Sequence, residues 1–301
     1  MLPALLIAYN RPDHTARVMD SMRDAGIREV FVSLDGARTG SEELCERTRA
    51  VVEAASWPER ITVRESTVNQ GPGWGPRNAI DWFFSHVPRG IICEDDTLLG
   101  SDAAEFLTQV VQDDRDGVTM SAATSLGARA YRGEADYFAS RYATTWGWAT
   151  DADTWSAYDY LIADWPERRS TDWLLRIGGS RHFAQYWTNV FDMTYADRDH
   201  YWDYQWQYAM WKNDWLCWHP RVNLVTNIGF DGAATHTQAA RRGLTELPVG
   251  RLPISLVPPA STRCEDRVDE WIDRNVYRTR RSFKGRVYRA LVKRSSSGVE
   301  E

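Results

Sequence analysis

The chain has 301 residues, a formal net charge of −6 at pH 7 and 43% hydrophobic residues. That length accommodates one large α/β domain or two small ones with a real core, and the negative balance argues against general nucleic-acid binding. Four scattered cysteines without a C-x-x-C pair fit a reducing compartment and give no zinc site.

Residues 1–8 are apolar but too short for a signal peptide, and a basic leading segment is missing. No uninterrupted apolar run is long enough to cross a bilayer. The chain is therefore expected to be soluble or peripheral, and cytoplasmic. Residues 3–8 read as a buried strand. Asp13 is placed to cap a helix running to Ala25, with Val18, Met19 and Met22 inward. Strands follow at 29–34, which ends at Asp35-Gly36, and at 61–63. Between them Ser41 is placed to cap a helix to about residue 55. The Gly- and Pro-rich stretch 69–76 reads as a loop, and a helix is expected from about Arg77 to His86. The next strand, Gly90-Ile91-Ile92-Cys93, runs into Glu94-Asp95-Asp96. Strands spaced by helices predict a parallel, doubly wound α/β sheet.

Such sheets bind ligands at the carboxyl ends of their strands. Three adjacent carboxylates repel one another unless a cation compensates them. Hard oxygen donors of this kind suit Mg²⁺ or Mn²⁺. A solvated acidic turn is the plain alternative.

The second half is aromatic. Most of the 15 tryptophans lie between Trp146 and Trp218. Such rings form cores and also stack on sugars, and Trp146-Gly147-Trp148 is read as lying near a sugar. A strand is expected at 137–142, helices near 171–177, 180–195 and 203–212, and short strands at 216–218 and 222–225. Residues 227–242 read as a flexible loop, with Gly229 and Gly232 as its hinges. From Arg274 to Arg294 every charged residue is basic, and Phe283, Val287 and Leu291 recur at helical spacing. That helix either lies on an anionic membrane surface or packs on the domain. We divide the chain into one domain over 1–262, with a nucleotide-binding half to about 120 and an acceptor half beyond it, and a basic helical tail over 263–301.

Several landmarks fall in one order: Leu5-Leu6-Ile7-Ala8-Tyr9-Asn10-Arg11-Pro12, Val32-Ser33-Leu34-Asp35-Gly36, Gln70-Gly71, Arg77-Asn78, Glu94-Asp95-Asp96, Trp146-Gly147-Trp148, Trp202-Asp203-Tyr204 and Gly232-Ala233-Ala234-Thr235-His236. This set resembles nucleotide-sugar glycosyltransferases of the GT-A fold, a Rossmann-like mixed and mostly parallel sheet flanked by helices. The resemblance is to the N-acetylglucosaminyltransferase I type, whose acidic motif is also Glu-Asp-Asp, and to uncharacterised bacterial transferases. It spans roughly residues 3 to 240, with long unmatched stretches. The acceptor half differs greatly from the animal enzyme.

The resemblance implies a role for each matching residue. Asp96 would ligate Mn²⁺ or Mg²⁺, Asp95 would face the ribose and Glu94 the donor sugar. Arg11, beside Asn10, would meet the diphosphate, and Asp35 the base edge. Arg77 and Asn78 would flank the nucleotide. Asp203 would be the catalytic base. His236 lies in the loop that closes over the donor and would complete the metal shell or contact the diphosphate. Read from the residues alone, Asp203 is equally a helix N-cap and Asp35 a turn residue. Trp202, Tyr204 and Trp206 would desolvate Asp203 and raise its pKa.

The leading reading is a metal-dependent, inverting transferase that moves a sugar from a nucleoside-diphosphate sugar, such as a UDP sugar, to a carbohydrate or glycolipid acceptor; a retaining mechanism, in which Asp203 positions the substrate, is the alternative. The setting would be surface-polysaccharide or glycolipid synthesis. A sugar-nucleotide nucleotidyltransferase is the enzyme alternative, but Tyr9-Asn10-Arg11-Pro12 lacks its Gly-rich phosphate loop. A non-catalytic carbohydrate-binding protein would use the tryptophans without needing the acidic strand end.

Overall fold

A computed structural model describes residues 1–112, 117–197, 199–230 and 247–279. His236, Gly232, most of the expected loop and the tail from residue 280 lie outside the described residues. Strands β1 (Ala4–Ala8), β2 (Glu29–Leu34), β3 (Arg60–Glu65) and β4 (Arg89–Glu94) are parallel, in the order β3-β2-β1-β4. The helices α1 (Pro12–Asp24), α2 (Glu42–Glu53) and α3 (Gly71–Phe84) connect them. Successive strand residues point to opposite faces of a sheet. Leu6 and Ile91 enter one core cluster with Val18 and Met22, while Leu5 and Ile92 enter another with Ile80 and Phe83. Both faces of β1, β2 and β4 are covered, which is why these three strands read as apolar runs.

Beyond β4 the chain turns into β5 (Thr97–Leu99) and α4 (Ala103–Val111), neither of which the sequence reading placed. The sheet is completed by β6 (Val118–Ala122), β7 (Tyr137–Ser140), β8 (Trp148–Asp151) and, later in the chain, β9 (Leu216–Pro220). The full eight-stranded order is β3-β2-β1-β4-β8-β6-β9-β7. β8 is antiparallel to β4 and β6, β6 is parallel to β9, and β7 is antiparallel to β9. The result is a mixed, mostly parallel, Rossmann-like α/β sheet. Helices α5 (Ala152–Ser156), α6 (Trp165–Arg169), α7 (Trp173–Gly178), α8 (Arg181–Ala196) and α9 (Asp203–Lys212) form the aromatic half. Strand β10 (Val225–Asn227) pairs antiparallel with β5, slightly later than the strand expected at 222–225.

Helix α3 corrects the loop expected over 69–76. It begins at Gly71, whose φ of +75° costs glycine little, and Pro72 follows in the first turn. Gly73 serves close packing: a Cβ there would lie 2.2 Å from the Tyr160 hydroxyl and 2.6 Å from the Asp199 carbonyl oxygen. Asp13 is not a cap, because Arg11 holds that position and Pro12 opens α1. Ser41 stands at the N-cap of α2 without capping through its side chain. Its hydroxyl binds the Arg38 carbonyl (2.8 Å) and the Tyr9 hydroxyl (2.8 Å).

The chain beyond residue 262 is seated on the sheet through Thr279. Cys264 bridges Ala139 of β7, and α10 (Asp266–Asn275) buries Val268 and Ile272 in the aromatic cluster. Asp273 accepts from Arg141 Nη2 (2.8 Å), Thr279 Oγ1 (3.0 Å) and the Tyr142 hydroxyl. Asp269 accepts from Ser140 Oγ (2.6 Å). Among the described residues no helix is long and apolar enough to cross a membrane.

Candidate active site

The carboxyl ends of the parallel strands supply the charged residues. The turn from β1 to α1 consists of Tyr9, Asn10 and Arg11. Asn10 is half-buried there. β4 is the neighbour of β1, so Arg11 reaches its end: Nη1 lies 3.3 Å from Asp95 Oδ1 and 3.0 Å from Asp96 Oδ2. The Tyr9 backbone N–H also donates to Asp95.

Burial dominates the electrostatics. It pushes the Glu94 carboxyl well above the usual carboxylate range, and the charges of Asp96, Asp203 and Asp95 push the same way. Asp95 is raised to about 6, mainly by burial, with Arg11 opposing. Burial works against the charge on Arg11, but the carboxylates outweigh it and raise its pKa. One guanidinium thus faces three carboxyl groups.

Asp96 is also enclosed by the chain that follows β10. Ile228 N–H donates to its carbonyl (2.8 Å), and Asn227 Nδ2 lies 3.4 Å from Oδ1. A Cβ on Gly229 would sit 2.4 Å from Asp96 Oδ2. The sequence reading gave Gly229 to loop motion; here it also lies tight against this carboxylate.

Asp35 is engaged with the start of α3. Its oxygens accept from the backbone N–H groups of Gly36 (2.9 Å), Gln70 (2.9 Å) and Gly71 (3.2 Å), and from Asn69 Nδ2 (3.0 Å). A carboxylate suits that helix terminus. Gln70 extends the chain, accepting from Asn78 Nδ2 at 3.2 Å. Arg77 points its guanidinium at Asp81 (3.1 Å) and over the Trp74 ring (5.6 Å), and donates to Asn78 Oδ1 (3.1 Å). Asn69 was legible only as a loop residue, and Gln70 as one landmark of the resemblance with no role of its own.

Asp203 opens α9 and is exposed. Its expected desolvation is corrected, because Trp202 and Trp206 turn into the core, 5% and 0% exposed, instead of covering it. The N-cap alternative does not hold either, since Trp202 occupies that position. The acids that burial pushes upward are Glu94 and Asp95. Trp148 is likewise corrected: it is fully buried in β8, packed on Trp202, Trp206 and Trp155, and offers no sugar platform. Trp146 remains half-buried.

Glu94 and Asp203 both line a cavity of about 330 Å³. Its rings include Trp146, Tyr201, Tyr204, Phe230 and Tyr277. Tyr277 was missed, because the tail was read as lying on a membrane surface or packing on the domain and was given no part in the site. Two buried polar atoms of lining residues, Thr144 Oγ1 and Trp187 Nε1, have no hydrogen-bond partner among the described residues.

Among the described residues no three His, Cys, Asp or Glu side chains converge as a metal set. The donor chemistry nevertheless fits a divalent cation bound together with a nucleotide. Mg²⁺ beside phosphates commonly takes only one or two protein carboxylates, and Asp95 and Asp96 supply hard oxygens with negative charge in excess.

Neither a protein-family model nor a curated protein sequence matches the chain. One solved structure similar in part is a provisionally named glucose-1-phosphate thymidylyltransferase from Bacillus anthracis in complex with a sucrose. It is 10% identical, with a TM-score of 0.33, over 54% of this chain and 75% of that one. A likeness of that degree assigns no reaction, so the functional reading rests on this chain's own residues.

Proposed function

We propose that the chain is a metal-dependent glycosyltransferase of the GT-A type. It transfers a sugar from a nucleoside-diphosphate sugar, such as a UDP sugar, to an acceptor hydroxyl with inversion. The observation that carries this reading is the meeting of Arg11, Asp95 and Asp96 at the ends of β1 and β4, beside an aromatic cavity lined by Glu94 and Asp203.

Asp96 would hold Mn²⁺ or Mg²⁺, with His236 as a further ligand. The cation, when bound, supplies positive charge where the leaving diphosphate becomes more negative. Arg11 binds the same diphosphate through its guanidinium fork, exchanging part of its contact with Asp95 and Asp96. Asp95, anchored by the Tyr9 N–H, orients the ribose, and Glu94 meets the donor sugar. The Asp35–Gln70–Asn78 chain of hydrogen bonds sets the start of α3 beside the base, with Arg77 at its flank. Asp203 accepts the proton of the acceptor hydroxyl as that oxygen attacks the anomeric carbon. The aromatic walls hold the acceptor ring and keep out competing water.

The nucleotidyltransferase alternative is less well supported. The turn after β1 is only Tyr9-Asn10-Arg11, too short for a Gly-rich phosphate loop. A transfer assay with a panel of nucleotide sugars and Mn²⁺ tests the proposal. Asp203→Asn should retain UDP binding and lose transfer by about 10²-fold or more. Undiminished transfer would defeat the assignment of the base.

A further inference from the structure

The cavity's charge narrows the acceptor class. Its carboxyl groups are Glu94 and Asp203, and no lysine or arginine among the described residues lines it. The nearby guanidinium groups are engaged: Arg141 with Asp273 (2.8 Å), Arg77 with Asp81 (3.1 Å), and Arg11 with Asp95 and Asp96. His200, the one basic side chain on the wall among the described residues, is paired with Asp197 at 2.8 Å.

The remaining polar groups suit hydroxyls. Thr144 Oγ1 and Trp187 Nε1 are buried without partners among the described residues, and buried groups of this kind are satisfied by a partner or a ligand. A threonine hydroxyl and an indole N–H match the donor and acceptor pattern of sugar hydroxyls. Half-buried rings such as Trp146 and Tyr204 supply apolar surface for the ring faces. A carboxylate or phosphate on the acceptor would meet Asp203 with no lysine or arginine among the described residues on the wall to pair it.

We propose that this cavity takes a saccharide acceptor that is neutral or amino-bearing, and that it rejects uronic and phosphorylated ones. The inference rests on the glycosyl-transfer reading above and adds the acceptor's charge class. Calorimetry on the full chain, with UDP and Mn²⁺ present, tests it. The probes are methyl glycosides of gluco, galacto and manno configuration, each in neutral, 2-amino and uronic form. In at least one configuration the neutral or amino form should bind about tenfold or more tightly than the uronic form, as like charges at close range require. Thr145→Lys, which puts a cation on the wall, should narrow that ratio. Uronic forms binding as well as their neutral counterparts, or no glycoside of any charge binding, would overturn the inference. UDP and Mn²⁺ titrated without glycoside separate the two claims. Intact nucleotide binding leaves the transferase reading standing, and absent binding removes both.

Discussion

Replacing Asp273 tests whether the C-terminal helix belongs to the core. The side chain is fully buried and accepts from Arg141, Tyr142 and Thr279. Asp273→Ala would leave the Arg141 guanidinium short of its nearest carboxylate. Removing one partner of a buried ion pair costs about 3–5 kcal/mol. Asp269 remains 3.7 Å from Arg141 Nε, which moderates the loss, so the expected cost is about 3 kcal/mol. Asp273→Asn keeps an acceptor oxygen but loses the charge, and should cost about 2 kcal/mol, in the range of a charged hydrogen bond. Urea unfolding followed by tryptophan fluorescence reads both values from the shift in midpoint at unchanged slope. The consequence reaches the cavity, because Tyr277 stacks on Tyr142 at 5.1 Å, just beyond the helix. A loss below about 1 kcal/mol for Asp273→Ala, the level of a surface pair, would refute the reasoning.

Two further changes probe other parts of the account. Gly73→Ala forces a methyl group against the Tyr160 hydroxyl and the Asp199 carbonyl. Overpacking of this kind costs about 1–3 kcal/mol, and chemical denaturation should show it. Burial raises the pKa of Asp269 above its ordinary value, so the folded chain binds that proton more tightly than the unfolded one. Its contribution to stability is therefore largest at acid pH and is lost as pH rises from about 4 through the folded value. Measured by urea unfolding at pH 4 and pH 7, the stability of Asp269→Asn relative to wild type should improve with rising pH. A change in the opposite direction would contradict the assignment.

How far the sequence exposed this fold depends on how each element is buried. Strands β1, β2 and β4 are covered on both faces, so their apolar runs are unambiguous. The acids after Cys93 then fall at a strand end, where parallel sheets open. Helix α9 was legible to the residue from Asp203 to Lys212. The start of α3 was hidden because Gly73 and Gly75 signal a loop locally, while the requirement Gly73 meets is tertiary: room for Tyr160 and Asp199. β8 was hidden for a related reason. Trp148 in a Trp-Gly-Trp motif invites a ligand role, and only the packing of Trp155, Trp202 and Trp206 around it shows a core residue. In the site, the charges were legible but their environment was not. Which carboxyl is desolvated depends on tertiary packing: burial pushes up Glu94 and Asp95, whereas Asp203 is exposed. The basic residues beyond Arg274 drew attention away from Val268, Ile272 and Asp273, which dock the helix before them.

The central claim is that the acids after β4 hold a cation on a nucleoside diphosphate. Titration calorimetry of UDP into the full chain, with and without Mn²⁺, addresses it most directly. The account predicts binding that requires Mn²⁺, disappears in Asp96→Ala and persists in Asp203→Asn. Binding of equal strength without the metal, or undiminished in Asp96→Ala, would contradict it.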